Sequence, residues 1–77
     1  MVVAYVLVEA STGDADRLAA AMRAVEGVDR VHVVAGDVDF VVRVEVDSPA
    51  AVRAAVVSAV SGIDGVTDTQ TYLAMDA

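Results

Sequence analysis

The sequence predicts an α+β domain in which one strand–helix–strand unit is used twice, in the order βαββαβ. Two alignments and one absence carry this prediction. Residues 2–9 (VVAYVLVE) line up with residues 40–47 (FVVRVEVD) at an offset of thirty-eight, apolar on apolar and acid on acid. At the same offset Leu18, Met22, Val25, Gly27 and Val28 fall on Val56, Val60, Ile63, Gly65 and Val66. No linker or low-complexity stretch interrupts the 77 residues, so the repeat fills the chain. An internal repeat constrains topology before any single motif does. Right-handed crossovers in both halves place the first and third strands at the centre of a four-stranded antiparallel sheet, with both helices on one face. This is the ferredoxin-like arrangement.

The elements follow in order. Residues 2–9 are apolar at even positions (Val2, Ala4, Val6, Val8) and at odd ones (Val3, Tyr5, Leu7), the pattern of a strand covered on both faces. One face meets the helices; in a two-layer domain the other calls for a second subunit. Ser11, Thr12, Gly13 and Asp14 form a turn with helix-cap chemistry, with Asp14 and Asp16 at a helix N-terminus. A helix over 14–25 buries Ala15, Leu18, Ala19, Met22 and Val25, leaves Arg17 and Arg23 off that stripe, and stops at Gly27. Residues 29–34 form the second strand, and 35–39 (AGDVD) read as a tight hairpin into the third, over 40–46. The even face of the third strand is wholly apolar; its odd face carries Arg43 and Glu45. Ser48 and Pro49 are an N-cap and a first helical residue. The second helix then runs to about residue 61, with Val52, Val56, Val60 and Ile63 inward, and 66–75 form the last strand.

Composition narrows the function. The chain is 57% apolar with 4% aromatics and no cysteine, so disulfides and Cys-based metal sites are excluded. A chain this short supports only a small core, which favours self-association. Nine Asp, three Glu, five Arg and no Lys give a formal charge of −7. Two readings fit that balance: adaptation to molar salt, where the charge keeps the chain in solution and is screened, or a GC-rich genome. In either case free nucleic acid is disfavoured as a direct ligand, because the arginines are scattered among carboxylates rather than clustered. Residues 1–8 lack a basic n-region, and no apolar run reaches the length of a membrane helix. A cytoplasmic protein is expected.

Catalytic constellations do not emerge. His32 is the only histidine; it is expected on the strand face opposite Val31 and Val33, as a partly exposed polar residue or in the lining of a ligand pocket. No serine lies in a GxSxG context, and no phosphate-binding glycine loop is present. Two polar groupings remain. Asp37 and Asp39 flank the hairpin, where they either bond local backbone or face a ligand. Thr67, Thr69 and Thr71 alternate with Asp68, Gln70 and Tyr72 along the last strand, as plain β-propensity or as donors to a small polar ligand.

Residues 25–28 (VEGV), then Gly36-Asp37-Val38-Asp39 before a valine-rich strand, then 63–66 (IDGV) and Thr69-Gln70-Thr71, resemble the effector-binding domain of the Lrp/AsnC regulators, also called the RAM domain. The resemblance covers essentially the whole chain. It implies a βαββαβ domain that dimerises through its sheets as a dimeric α+β barrel, builds higher rings, and binds free amino acids in clefts between dimers without catalysis. The family's Gly-x-x-Asp hairpin falls on Gly36 and Asp39: amides near Gly36 would meet a ligand carboxylate and Asp39 its ammonium, with Asp37 beside them. The family's Thr-x-Thr falls on Thr69 and Thr71, which would line the same cleft. No cofactor and no metal are implied. Val38 stands where an aromatic often precedes the Asp, and Ala35 where Thr or Ser is common. The chain reads as a stand-alone version without the helix-turn-helix domain, sensing amino acids, co-assembling with full-length relatives, or both.

Three other readings compete. An ACT-type regulatory domain shares the fold but lacks the Gly-x-x-Asp hairpin. A small monooxygenase of the dimeric α+β barrel type would place His, Trp, Asn or Tyr inside the barrel, and this chain has one His and no Trp. A structural assembly subunit would bind no small ligand.

Overall fold

The computed structural model describes residues 1–11 and 13–76, apart from the side chains of residues 56–58. Its elements are β1 (Val2–Ala10), α1 (Ala15–Arg23), β2 (Val28–Val33), β3 (Phe40–Val46), α2 (Pro49–Arg53) with a π-helical continuation (Ala54–Val60), and β4 (Val66–Leu73). The sheet is antiparallel in the order β2-β3-β1-β4. The predicted βαββαβ architecture is therefore the observed one, with boundaries within a residue or two.

The face on which the helices lie is built from alternate residues of the central strands. Ala4, Val6 and Val8 of β1 lie opposite Val44, Val42 and Phe40 of β3, and all six are essentially excluded from solvent. Leu18, Ala19 and Met22 of α1 and Val52 of α2 close over them, and Val31 is the one fully buried residue of β2. The i, i+1, i+4 spacing of the α1 residues puts them on one stripe, as predicted. Ala15 and Val25 pack at its margins. Each valine buried here contributes up to roughly 1.5–3 kcal/mol relative to exposure.

Both crossovers end on a glycine with positive φ, Gly27 at 96° and Gly65 at 106°. The left-handed backbone turns the chain from helix into edge strand at little cost only for glycine. At Gly27 space is also decisive, since a Cβ would sit 2.8 Å from Val46 Cγ1.

The helix starts differ. Ser48 Oγ accepts from the Ala51 amide (3.2 Å) and Pro49 opens α2, as its sequence predicts. Asp14 occupies the N-cap of α1 but makes no side-chain capping bond; its carboxylate accepts from Arg17 Nε at 3.2 Å. Thr12, expected in that turn, lies outside the described residues.

The second helix departs from expectation. Only Pro49–Arg53 is α-helical, and Ala54–Val60 winds as a π-helix. A π turn brings residues five apart into line, and Ala55 and Val60 are both buried while Val52 begins the stripe. The predicted inward position of Val56 lies outside the described side chains. Ile63 packs against the core as expected.

Candidate functional site

The connection between β2 and β3 spans residues 34–39 and is longer than the two-residue turn of a tight hairpin. It is closed by the Val34 amide donating to Asp39 O (2.9 Å). Asp39 is tied twice to β1: its amide donates to Val8 O, and its Oδ2 accepts from the Ala10 amide, both at 2.9 Å. Its carbonyl closes the turn, but its side chain does not bond local turn backbone. The carboxylate reaches 29 positions back along the sequence and clips the hairpin to the end of β1. Its Oδ1 makes no hydrogen bond to the described residues. Ala35, Gly36 and Asp37 are exposed at the tip.

Thr69 and Thr71 pair with Val8 and Val6, which places them on the helix side of the sheet. Asp68, Gln70 and Tyr72 pair with Glu9, Leu7 and Tyr5 and lie on the opposite, open side. The alternation predicted for β4 is observed. Thr69 Oγ1 is 3.3 Å from Ser61 Oγ, while Thr67 and Thr71 are exposed. Phe40, Val8 and Thr69 form one row across β3, β1 and β4. The hairpin and Thr69 thus sit at the same end of the sheet, separated by two strand spacings, about 10 Å. The structure groups Gly36, Asp37 and Asp39 on one loop; Thr69 and Thr71 lie across β1 from them.

The open face holds a second constellation that sequence reasoning only touched. Arg43 Nη1 donates to Glu45 Oε2 at 2.8 Å and to Asp29, which stands at an irregularity in the β2–β3 ladder. Hydrogen bonds to Glu45, then to Tyr5 and Asp29, hold its guanidinium more firmly protonated than a free arginine. Arg30 pairs across the ladder with Arg43, and His32 with Val41. These residues and Tyr5 line a cleft of about 490 Å³. His32 indeed faces away from Val31, into this cleft. Charged residues at alternate positions of β3 were the legible signal; Asp29 was not, because the ladder irregularity that turns it toward Arg43 has no sequence signature.

A wider groove of about 580 Å³ runs between the end of α1, the end of β3 and the second helix. Ala51, Ala54, Ala55 and Ala59 form one wall, and Glu26, Glu45 and Asp47 lie along it. Among the described residues no group of three or more His, Cys, Asp or Glu side chains is arranged to hold a metal ion. None of the described helices is long and apolar enough to cross a membrane.

Residues 3–77 match the sequence profile of the Lrp/AsnC ligand binding domain. No curated protein sequence matches the chain. Among solved structures, TTHA0845 of Thermus thermophilus superposes with a TM-score of 0.92 at 27% identity, over 100% of this chain and 96% of that one. Escherichia coli AsnC superposes with a TM-score of 0.89 at 16% identity, over 99% of this chain and 52% of its own. The Neisseria meningitidis transcriptional regulator NMB0573, solved as its L-Met complex, gives 0.85 at 21%, over 97% and 50%. This chain thus spans nearly all of the Thermus protein and about half of each of the two regulators. At the identities of the last two the likeness is one of fold. The chain belongs to the Lrp/AsnC ligand-binding-domain family.

Proposed function

We propose, from that membership, that the chain is a non-catalytic sensor of free amino acids that works through its state of assembly. Sheets pair two copies, dimers build a larger assembly, and an amino acid binds between dimers at the hairpin of Gly36, Asp37 and Asp39, with Thr69 and Thr71 on β4, across β1 from it. Its partners are further copies of itself and helix-turn-helix-bearing relatives in the cytoplasm, through which it would modulate transcription. The L-Met complex of the Neisseria regulator supports an amino acid as the ligand class.

The observation that carries the site is Asp39. A carboxylate fixed at one oxygen by the Ala10 amide and open at the other is a pre-positioned acceptor for an ammonium group. Exposed backbone at Gly36 lies on the same loop for a carboxylate. Binding stabilises whichever assembly it favours by its differential affinity.

Thermal unfolding in molar KCl with each of the twenty amino acids tests this. One amino acid, or a few related ones, at a hundred times its dissociation constant should add about 2.7 kcal/mol. Asp39→Ala should remove that gain while the variant still folds. If the Asp39→Ala variant is stabilised as much as the parent, the site lies elsewhere. If no amino acid shifts the parent, the chain is an assembly subunit.

A further inference from the structure

We propose that the cleft between β2 and β3 on the open sheet face is a binding site for a small carboxylate with an apolar body. The carboxylate is taken by the Arg30 guanidinium with His32 beside it, and the body lies against Tyr5 and Val41. This site is separate from the hairpin at residues 36–39 and does not rest on the amino-acid reading above.

Charge is matched on one side of the cleft and not on the other. Arg30 and Arg43 are partners across the β2–β3 ladder, and both stand on the open face, since Val31 and its partner Val42 are buried on the other. Two like charges directly opposite one another repel. Arg43 is relieved of this, because its Nη1 donates to Glu45 Oε2 at 2.8 Å and to Asp29. Arg30 is not. Its chain neighbour Asp29 is committed to Arg43, and neither Arg30 nor His32 has a hydrogen bond or ion pair among the described residues. In a chain with twelve carboxylates to five arginines, a guanidinium set in a cleft without a carboxylate partner is the group an incoming anion meets. A second copy lying over this face, as proposed above, raises the cost of leaving that charge unmatched, because a cation taken out of water needs a partner.

The size and lining of the cleft set the class of anion. At about 490 Å³ it is in the range of small-molecule pockets and larger than a lone carboxylate needs, so the ligand has a body besides its charge. Val41 and the ring of Tyr5, which is 41% exposed, offer that body apolar surface. With His32 neutral at pH 7, Asp29, Arg30 and Arg43 leave the lining with one positive charge in excess. A carboxylate matches that charge. A phosphate monoester brings nearly two, and the surplus faces Asp29. The planar fork of an arginine donates two parallel N–H bonds to a carboxylate, a pairing roughly twice as strong as neutral hydrogen bonds. His32, two residues along β2 on the same face, adds an imidazole N–H. A free amino acid fits poorly here, because its ammonium is carried toward Arg30 and Arg43.

Benzoate is the probe and benzyl alcohol its uncharged counterpart, each titrated into the whole chain at constant ionic strength and followed by calorimetry and two-dimensional NMR. The expected result is saturable binding of a single benzoate per chain, with side-chain shifts at Arg30 Nε–H and the His32 ring. Benzyl alcohol should bind about tenfold more weakly or worse, and Arg30→Gln should weaken benzoate by about the same factor. Arg30 is exposed, so this variant is expected to keep the fold, which its unfolding curve checks. Absence of saturable benzoate binding overturns the proposal. Equal affinity for benzyl alcohol, or an Arg30→Gln variant that binds benzoate as the parent does, overturns it as well. Shifts confined to residues 36–39 assign the anion to the hairpin and overturn the cleft as its site. Phenyl phosphate binding more tightly than benzoate overturns the assignment to a carboxylate.

Discussion

The two halves of this chain start from one pattern and finish differently. In the first half, nine α-helical residues lead to β2, a short edge strand. In the second, five α-helical residues are followed by seven in a π-helix, and the edge strand β4 has eight residues, most of them exposed. The edges also pair in different registers. By the offset of thirty-eight, Val31 corresponds to Thr69 and its partner Val42 to Ala4, yet Thr69 pairs with Val8, four residues further along β1. At about 3.4 Å per residue this is a slide of roughly 14 Å. The repeat thus sets the order of elements and the alternation of faces, and leaves open where each edge strand lands: both halves run 26 residues from the start of one strand to the start of the next, yet the edges pair in different registers.

Paired substitutions sharpen that comparison. The largest expected effect is at the repeat-related core positions Met22 and Val60, both fully buried. Met22→Ala should cost about 2–5 kcal/mol and Val60→Ala roughly 2, measured by denaturant unfolding. Equal losses would mean that the π-helical half packs as heavily as the α-helical one. The two glycines come next. Gly27→Ala meets both a positive φ and Val46 Cγ1 at 2.8 Å, and should cost about 2–3 kcal/mol. Gly65→Ala shares the positive φ, which by itself costs about 1–2 kcal/mol. A neutral Gly65→Ala would show that the second turn yields where the first does not. The smallest effect on the isolated fold is at the edge: Arg30→Ala should change unfolding free energy by no more than about 0.5 kcal/mol. A larger loss would mark Arg30 as part of the fold rather than of its open face.

What the sequence makes legible follows the range over which each feature is determined. Strands β1 and β3 were readable because every core position is a Val, Ala or Phe at period two. Ser48–Pro49 announced α2 because capping is decided within four residues. The π-helix was not readable: valines at 52, 56 and 60 satisfy an α-helical stripe, and only the backbone hydrogen bonds distinguish the windings. The slide of β4 was equally hidden, since Thr67, Thr69 and Thr71 alternate correctly in any even register. Of the candidate site, the hairpin loop and the face of each threonine could be read. The bond from Asp39 to Ala10 could not, because nothing local marks a contact between residues 29 apart.

That same bond makes Asp39 a latch as well as the proposed acceptor. Its Oδ2 holds the last amide of β1, and β1 lies at the centre of the sheet, bonded to both β3 and β4. A cation at the open oxygen draws electron density from the bonded one and loosens that amide. A cation that turns the carboxylate frees the amide altogether. Under the binding proposed above, occupancy of the loop would register as solvent exchange at one backbone N–H, so Ala10 would report whether the proposed site is filled.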